Sequence, residues 1–111
     1  MHEWVKEFAG AVVVTDKQGI ITFMNDRAIR NFEKEGGASL IGTNVLDCHS
    51  GPSHAVLETL MERQQKNIYT IEKNGIHKMI FQTPWYEEGE YSGFLELTFE
   101  IPSEMPHHVR D

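Results

Sequence analysis

Cys48, His49 and His54 are the residues whose types and spacing point most directly to chemistry in this chain. A thiol beside one imidazole, with a second imidazole five residues on, suits a haem iron, another metal or a reactive thiol. The three residues precede and open a stretch, 52–65, that reads as a helix. Pro52 suits a first helical position and Ser50 or Gly51 its cap. Ala55, Val56, Leu57, Leu60 and Met61 form its apolar set, and Glu58, Glu62 and Arg63 are assigned to water. A helix N-terminus carries free N–H groups and partial positive charge, which would lower a nearby thiol pKa and keep an imidazole neutral. The cofactor-binding candidates are therefore Cys48, His49 and His54, with Leu57 and Met61 as apolar walls. A plain structural reading stands beside this one: Cys48 as a small buried hydrophobe, His49 and His54 satisfying loop hydrogen bonds.

Other chemistries fare worse. A zinc site would have three ligands at most, adjacent residues rarely serve one tetrahedral ion, and there is no CxxC pair. No CxxCH exists for covalent haem attachment. Asp16 reads as a turn residue and Asp26 as a helix cap rather than as acid–base partners. Asp47 has no obvious carboxylate partner, and Gly36-Gly37 lacks the lysine and spacing of a phosphate loop. No catalytic residue and no metal ligand set is assigned, and an enzyme is the weakest functional class.

The chain has 111 residues, with 17 acidic against 10 basic side chains and a formal net charge of -7. An acidic chain without a basic stripe is a poor partner for nucleic acid. No apolar run is long enough to span a bilayer, and the first residues do not form a signal-peptide pattern. The expected compartment is the cytoplasm, with no membrane contact. The single cysteine excludes an internal disulfide framework.

The elements that must position the candidates follow from patterning. Residues 2–9, with Trp4, Val5 and Phe8, read as a short amphipathic helix that must dock on the sheet or on another chain. Ala11–Thr15 and Ile20–Met24 are strands joined by an Asp16-Lys17-Gln18-Gly19 turn. Asn25 or Asp26 caps a helix that carries Ala28, Ile29 and Phe32 to about Lys34 and stops at Gly36-Gly37. Residues 38–46 form an irregular helical stretch. After the 52–65 helix come three strands, 67–73, 76–86 and 91–101, linked by Asn74-Gly75 and by Glu87–Glu90. In the last strand Leu95, Leu97, Phe99 and Ile101 alternate with Glu96, Thr98 and Glu100, giving one inward and one outward face. This order predicts a small α+β domain, a five-stranded antiparallel sheet with short helices and one longer helix on one face.

Residues 11–25, AVVVTDKQGIITFMN, resemble the opening hairpin of PAS domains: an apolar strand, an Asp-x-x-Gly turn, a second strand and an Asn leading into a helix. Leu40-Ile41-Gly42 is similar to the step before the family's ligand-side helix, and Gly93 with the alternation after it to the family's last strand. The likeness covers about residues 8–101. It implies a PAS domain at 11–101, an N-terminal cap at 1–10 and a flexible tail at 102–111. It implies a sensory module in which helices close over the sheet around haem, flavin, a metabolite or nothing. Haem-binding members take a proximal histidine from the helix that here carries His54. The Cys48-His49 step is similar to a subset of PAS domains with a Cys-His-Pro signature, although Ser50 stands where that signature has Pro. Photoactive flavin members use an Asn-Cys-Arg run. Here Asn44 is four residues before Cys48 and His49 follows it, so flavin is not expected.

Two functional readings follow. In the first, a small molecule enters between the sheet and the 52–65 helix and biases a partner or effector domain. His54, Leu57, Met61, Met79, Phe81, Leu95 and Leu97 would line its pocket, if the strands take that phase; haem is the leading cofactor if one is held. In the second, the domain holds no ligand, and Trp4, Val5 and Phe8 dock on a second copy to build a homodimer.

Overall fold

The computed structural model describes residues 3–49 and 51–111. The expectations placed on His2 and on Ser50 as a cap lie outside the described residues. Five strands form one antiparallel sheet: β1 (Ala11–Thr15), β2 (Ile21–Met24), β3 (Asn67–Lys73), β4 (Ile76–Glu87) and β5 (Glu90–Ile101). Their order across the sheet is β2-β1-β5-β4-β3. Two α-helices, α1 (Asp26–Asn31) and α2 (Gly51–Arg63), and several 3-10 turns cover one face.

The first hairpin turns as its residues require. Asp16 Oδ1 accepts from the Gln18 and Ile20 amides at 2.9 and 3.0 Å, and Gly19 takes the positive φ of 87°. An aspartate that bonds its own turn and a glycine free of a Cβ are the usual means of closing so tight a loop. The free edge of β2 is then covered by the segment after α1. Ile21 donates to Thr43, Gly42 donates back to Ile21, and Val45 donates to Gly19.

Asn25 joins the parts. It is 1% exposed. Its Oδ1 accepts from the amides of Val12 (2.9 Å) and Ala28 (3.0 Å), so it pairs with β1 and caps α1 at once. Its Nδ2 donates to the carbonyls of Val5 (3.0 Å) and Gly10 (2.8 Å). The full capacity of the amide is used. Below it Ala28, with Ile29 and Phe32 alongside, packs on Ala11, Val13, Ile21 and Met24.

Three elements differ from their sequence expectations. The N-terminal segment is a 3-10 turn, Glu3–Val5, and not a two-turn helix. So few residues cannot offset helix nucleation, and the Val5 carbonyl is committed to Asn25. Val5 alone is buried there; Trp4 is 66% exposed and stacks edge-on with Phe8. Helix α1 ends at Asn31, and the chain continues to Glu35 as a 3-10 turn before Gly36 and Gly37 take positive φ. Helix α2 buries only Leu57; Leu60 and Met61 are half-buried, and Ala55 and Val56 are exposed. It ends at Arg63, two residues early, where Gln64 adopts φ 53° and Gln65 donates to the Leu60 carbonyl.

Register decides which face each strand residue takes, because residues directly opposite one another share a face. Val13 lies opposite Glu96, Ala11 opposite Thr98, and Gln82 opposite both Glu96 and Asn67. Val13 packs under the helices, so the inner face also carries Glu96, Gln82 and Asn67. Leu97, Phe99 and Ile101 of β5 are on the outer face with Val12, Met79 and Phe81. The apolar phase of β5 thus points away from the helical layer. At the other end of the sheet, a Cβ on Gly93 would overlap the Thr15 carbonyl oxygen, to which Trp85 Nε1 donates at 2.9 Å.

Replacing Asn25 by Ala should cost about 3 kcal/mol or more, since it strips partners from four backbone groups at a buried junction. Asn25→Asp keeps both accepting bonds but sets a carboxylate against the Val5 and Gly10 carbonyls, so it should also be strongly destabilised. Urea unfolding of the three proteins checks both; an Ala variant within 1 kcal/mol of wild type, at the scale of an ordinary surface change, would refute the keystone role.

Candidate functional site

Between the helical layer and the sheet lies an interior cavity of about 40 Å3. Its wall is apolar over most of its extent, with Val13, Met24, Phe32, Leu40, Val45 and Leu57, and its polar members are Thr15, Cys48, His49, Gln82 and Glu96. Next to it a wider cleft of about 290 Å3 separates the start of α2 from β3 and β4. Pro52, Ser53, Val56 and Leu57 form its helix side, and Asn67, Tyr69 and Gln82 its sheet side. His49, Leu57 and Gln82 border both spaces. Leu57 stands between the apolar interior and the more open cleft.

Of the five candidates, Cys48, His49 and Leu57 come together at the cavity. His54 is turned away from both spaces. Its Nδ1 lies 3.0 Å from the Leu46 carbonyl, which can only accept, so Nδ1 carries the proton and the ring braces the preceding loop against α2. Met61 packs its Cε against the Gly19 turn of the first hairpin and borders neither space. Met79, Phe81 and Leu97 lie on the outer face by register and do not border the cavity; Leu95 borders it although it shares the strand phase of Leu97.

Cys48 closes a 3-10 turn, Val45–Cys48, and is separated from α2 by two residues. Burial pushes the thiol up, helped by the charges of Asp47 and Glu35. Burial likewise raises the Tyr69 phenol, with the nearby Glu96 charge adding to it. Among the described residues no group of three or more His, Cys, Asp or Glu is arranged to hold a metal ion.

The residues that sequence reasoning missed are Asn67, Gln82 and Glu96. Gln82 Nε2 donates to Glu96 Oε2 at 2.8 Å, and Asn67 Nδ2 donates to Gln82 Oε1 at 3.1 Å. The signal was present as single polar residues inside otherwise apolar strands, Gln82 after Ile80-Phe81 and Glu96 between Leu95 and Leu97. Assigning the apolar phase to the interior hid it.

The fit of haem is set by space and by ligand orientation. A cofactor of that size needs a pocket of at least about 300 Å3 lined by an open axial ligand. The enclosed cavity is an order of magnitude smaller; the cleft, which His49 also borders, is near that lower limit; and His54 borders neither space. The enclosed cavity does not fit haem.

The raised pKa of Cys48 has a direct readout. Its thiolate should appear only above the ordinary range of a free thiol, so the pH profile of its alkylation by iodoacetamide should be displaced upward. A midpoint below that of free cysteine would restore the reactive-thiol reading.

No family model matches the sequence, and no curated protein does. Solved structures do resemble it. The PAS domain of BvgS from Bordetella pertussis superposes with a TM-score of 0.64 at 16% identity, covering 89% of this chain and 82% of that one. A structure described as the Aer2 receptor from Vibrio cholerae, a dual PAS-haem oxygen sensor, gives 0.61 at 17% identity, over 84% and 95%. A sensory box sensor histidine kinase from Vibrio cholerae gives 0.62 at 14% identity, over 90% and 88%. The strand order, the asparagine-capped helix after the first hairpin and these likenesses lead to one conclusion: the chain has the fold of a PAS domain.

Proposed function

We propose that the chain is a sensory domain that holds a small molecule in the cleft beneath α2 and signals its occupancy through contacts of the outer sheet face. The cleft carries this reading. An apolar interior opens into a space of about 290 Å3 whose floor is polar and whose helical wall is held by one buried side chain, Leu57. A ligand that packs on Leu57 and bonds the sheet stabilises the closed arrangement of α2. Only such a difference in affinity between two states can transmit a signal. The structural neighbours, named as histidine-kinase sensors and a receptor, support a signalling role.

The outer sheet face supplies the output. Met79, Phe81, Leu97, Phe99 and Ile101 form a half-buried apolar surface there around the buried Val12, and Phe8 lies exposed near Phe99 with Trp4 stacked on it. A surface of this kind suits a second copy of the chain or an effector domain. Cofactor chemistry is not needed for this mechanism. Haem, the leading cofactor from the sequence, is set aside on the geometry of the cavity.

Native mass spectrometry of the protein as purified, and after incubation with a small-molecule extract of its host cells, should reveal a bound species below haem mass. The ultraviolet–visible spectrum should lack a Soret band. A Soret band in protein made in haem-replete cells would overturn this choice of ligand.

Light scattering should report a dimer for the wild type and a monomer for Leu97→Glu and for Trp4→Glu, both with unchanged circular dichroism. A wild type that stays monomeric at high concentration would remove the self-association part of the proposal.

A further inference from the structure

A chain of three side chains on neighbouring strands, directly opposite one another across the sheet, runs beneath both spaces: Asn67 borders the cleft, Glu96 the cavity, and Gln82 both. An ionised carboxylate only accepts hydrogen bonds, so Gln82 must turn its NH2 group to Glu96 and its oxygen to Asn67. Asn67 must in turn give its NH2 group to Gln82. Gln82 is 6% exposed, which locks this polarity in place. Both ends of the chain are then acceptors, Oδ1 of Asn67 and Oε1 of Glu96. Among the described residues, no group donates to either.

The surroundings sharpen the choice. Glu96 is the one carboxylate on a cavity otherwise walled by Val13, Met24, Phe32, Val45 and Leu57. A carboxylate facing apolar walls gains most from a partner of opposite charge. The ring of Tyr69 borders the adjoining cleft and lies within reach of the Glu96 charge. An aromatic face beside a carboxylate favours a cation over an anion or a neutral molecule.

We propose that the cleft, together with the cavity that adjoins it at Gln82 and Leu57, recognises a small organic cation with N–H donors on an apolar body, an amidinium, guanidinium or primary amine, its charge directed to Glu96, a further donor to Asn67 and its apolar part against Leu57. This rests on the small-molecule reading above and adds the chemical class of the ligand. The apolar body fills the space beside Leu57. The donors satisfy the two open acceptors, and the positive charge meets Glu96.

Three probes of nearly equal shape separate the possibilities: benzamidine, benzamide and benzoate, titrated into the wild-type chain with 1H–15N correlation spectra. Benzamidine should shift the amides of His49, Leu57, Asn67, Tyr69, Gln82 and Glu96. Benzamide and benzoate should bind at least about tenfold more weakly. Glu96→Gln, which preserves shape and the bond from Gln82, should abolish the preference for benzamidine over benzamide. If benzamide or benzoate binds these residues as well as benzamidine, the cation inference fails while the cleft remains a ligand site. If benzamidine leaves these amides unmoved, the inference fails, and the native mass measurement alone decides whether the cleft binds anything. The comparison of probes on the wild type stands even if the variant does not fold.

Discussion

One buried amide organises the molecule. Asn25 satisfies two backbone donors, the amides of Val12 in β1 and Ala28 in the first turn of α1, and two backbone acceptors, the carbonyls of Val5 and Gly10 ahead of β1. No apolar side chain offers this, and a carboxylate would repel half of its partners. The consequence reaches the functional site. With α1 fixed by its cap, Ala28 and Phe32 are set against Val13 and Met24, and the linking segment returns to cover the β2 edge. That path delivers Cys48 and His49 to the cavity and starts α2 over the sheet. The fold around the cavity is therefore anchored on the side of α1 and β1.

Much of this was legible from residue types. The Asp16–Gly19 turn, the Asn25 cap and the Asn74-Gly75 hairpin have local causes: a side chain that bonds its own turn, a helix start that needs an acceptor, a left-handed pair of residues. Such causes act within a few residues, and sequence reading reaches them. The site was less legible because its residues depend on register. Glu96 and Gln82 turn inward because β5 pairs with β1 so that Glu96 meets Val13, a relation between residues more than eighty positions apart. His54 illustrates the complementary case. Its place at the start of a helix suggested a ligand; its Nδ1 serves the Leu46 carbonyl and the residue borders neither space. Position on an element told its neighbourhood but not its partner.

The two faces of the sheet divide the work. The inner face is apolar where α1 covers it and polar along Asn67, Gln82 and Glu96, which run from the cleft to the cavity. The outer face is apolar along β1, β5 and β4, with Leu97 and Phe99 beside Phe81 and Met79. Strands β4 and β5 each run for twelve residues and belong to both surfaces. A change in the position of Gln82 or Glu96 is carried by the same backbone that presents Phe81 and Leu97. No separate relay is needed to connect the two.

The uneven anchoring of the layers has a final consequence. Strand β3 has a neighbour on one side only, most of its residues are exposed, and α2 above it buries a single leucine. Protection against hydrogen exchange should therefore grade across the domain, greatest around β1 and α1 and least along α2 and β3. That flank borders the cleft, so a ligand held as proposed would enter without disturbing the folded remainder.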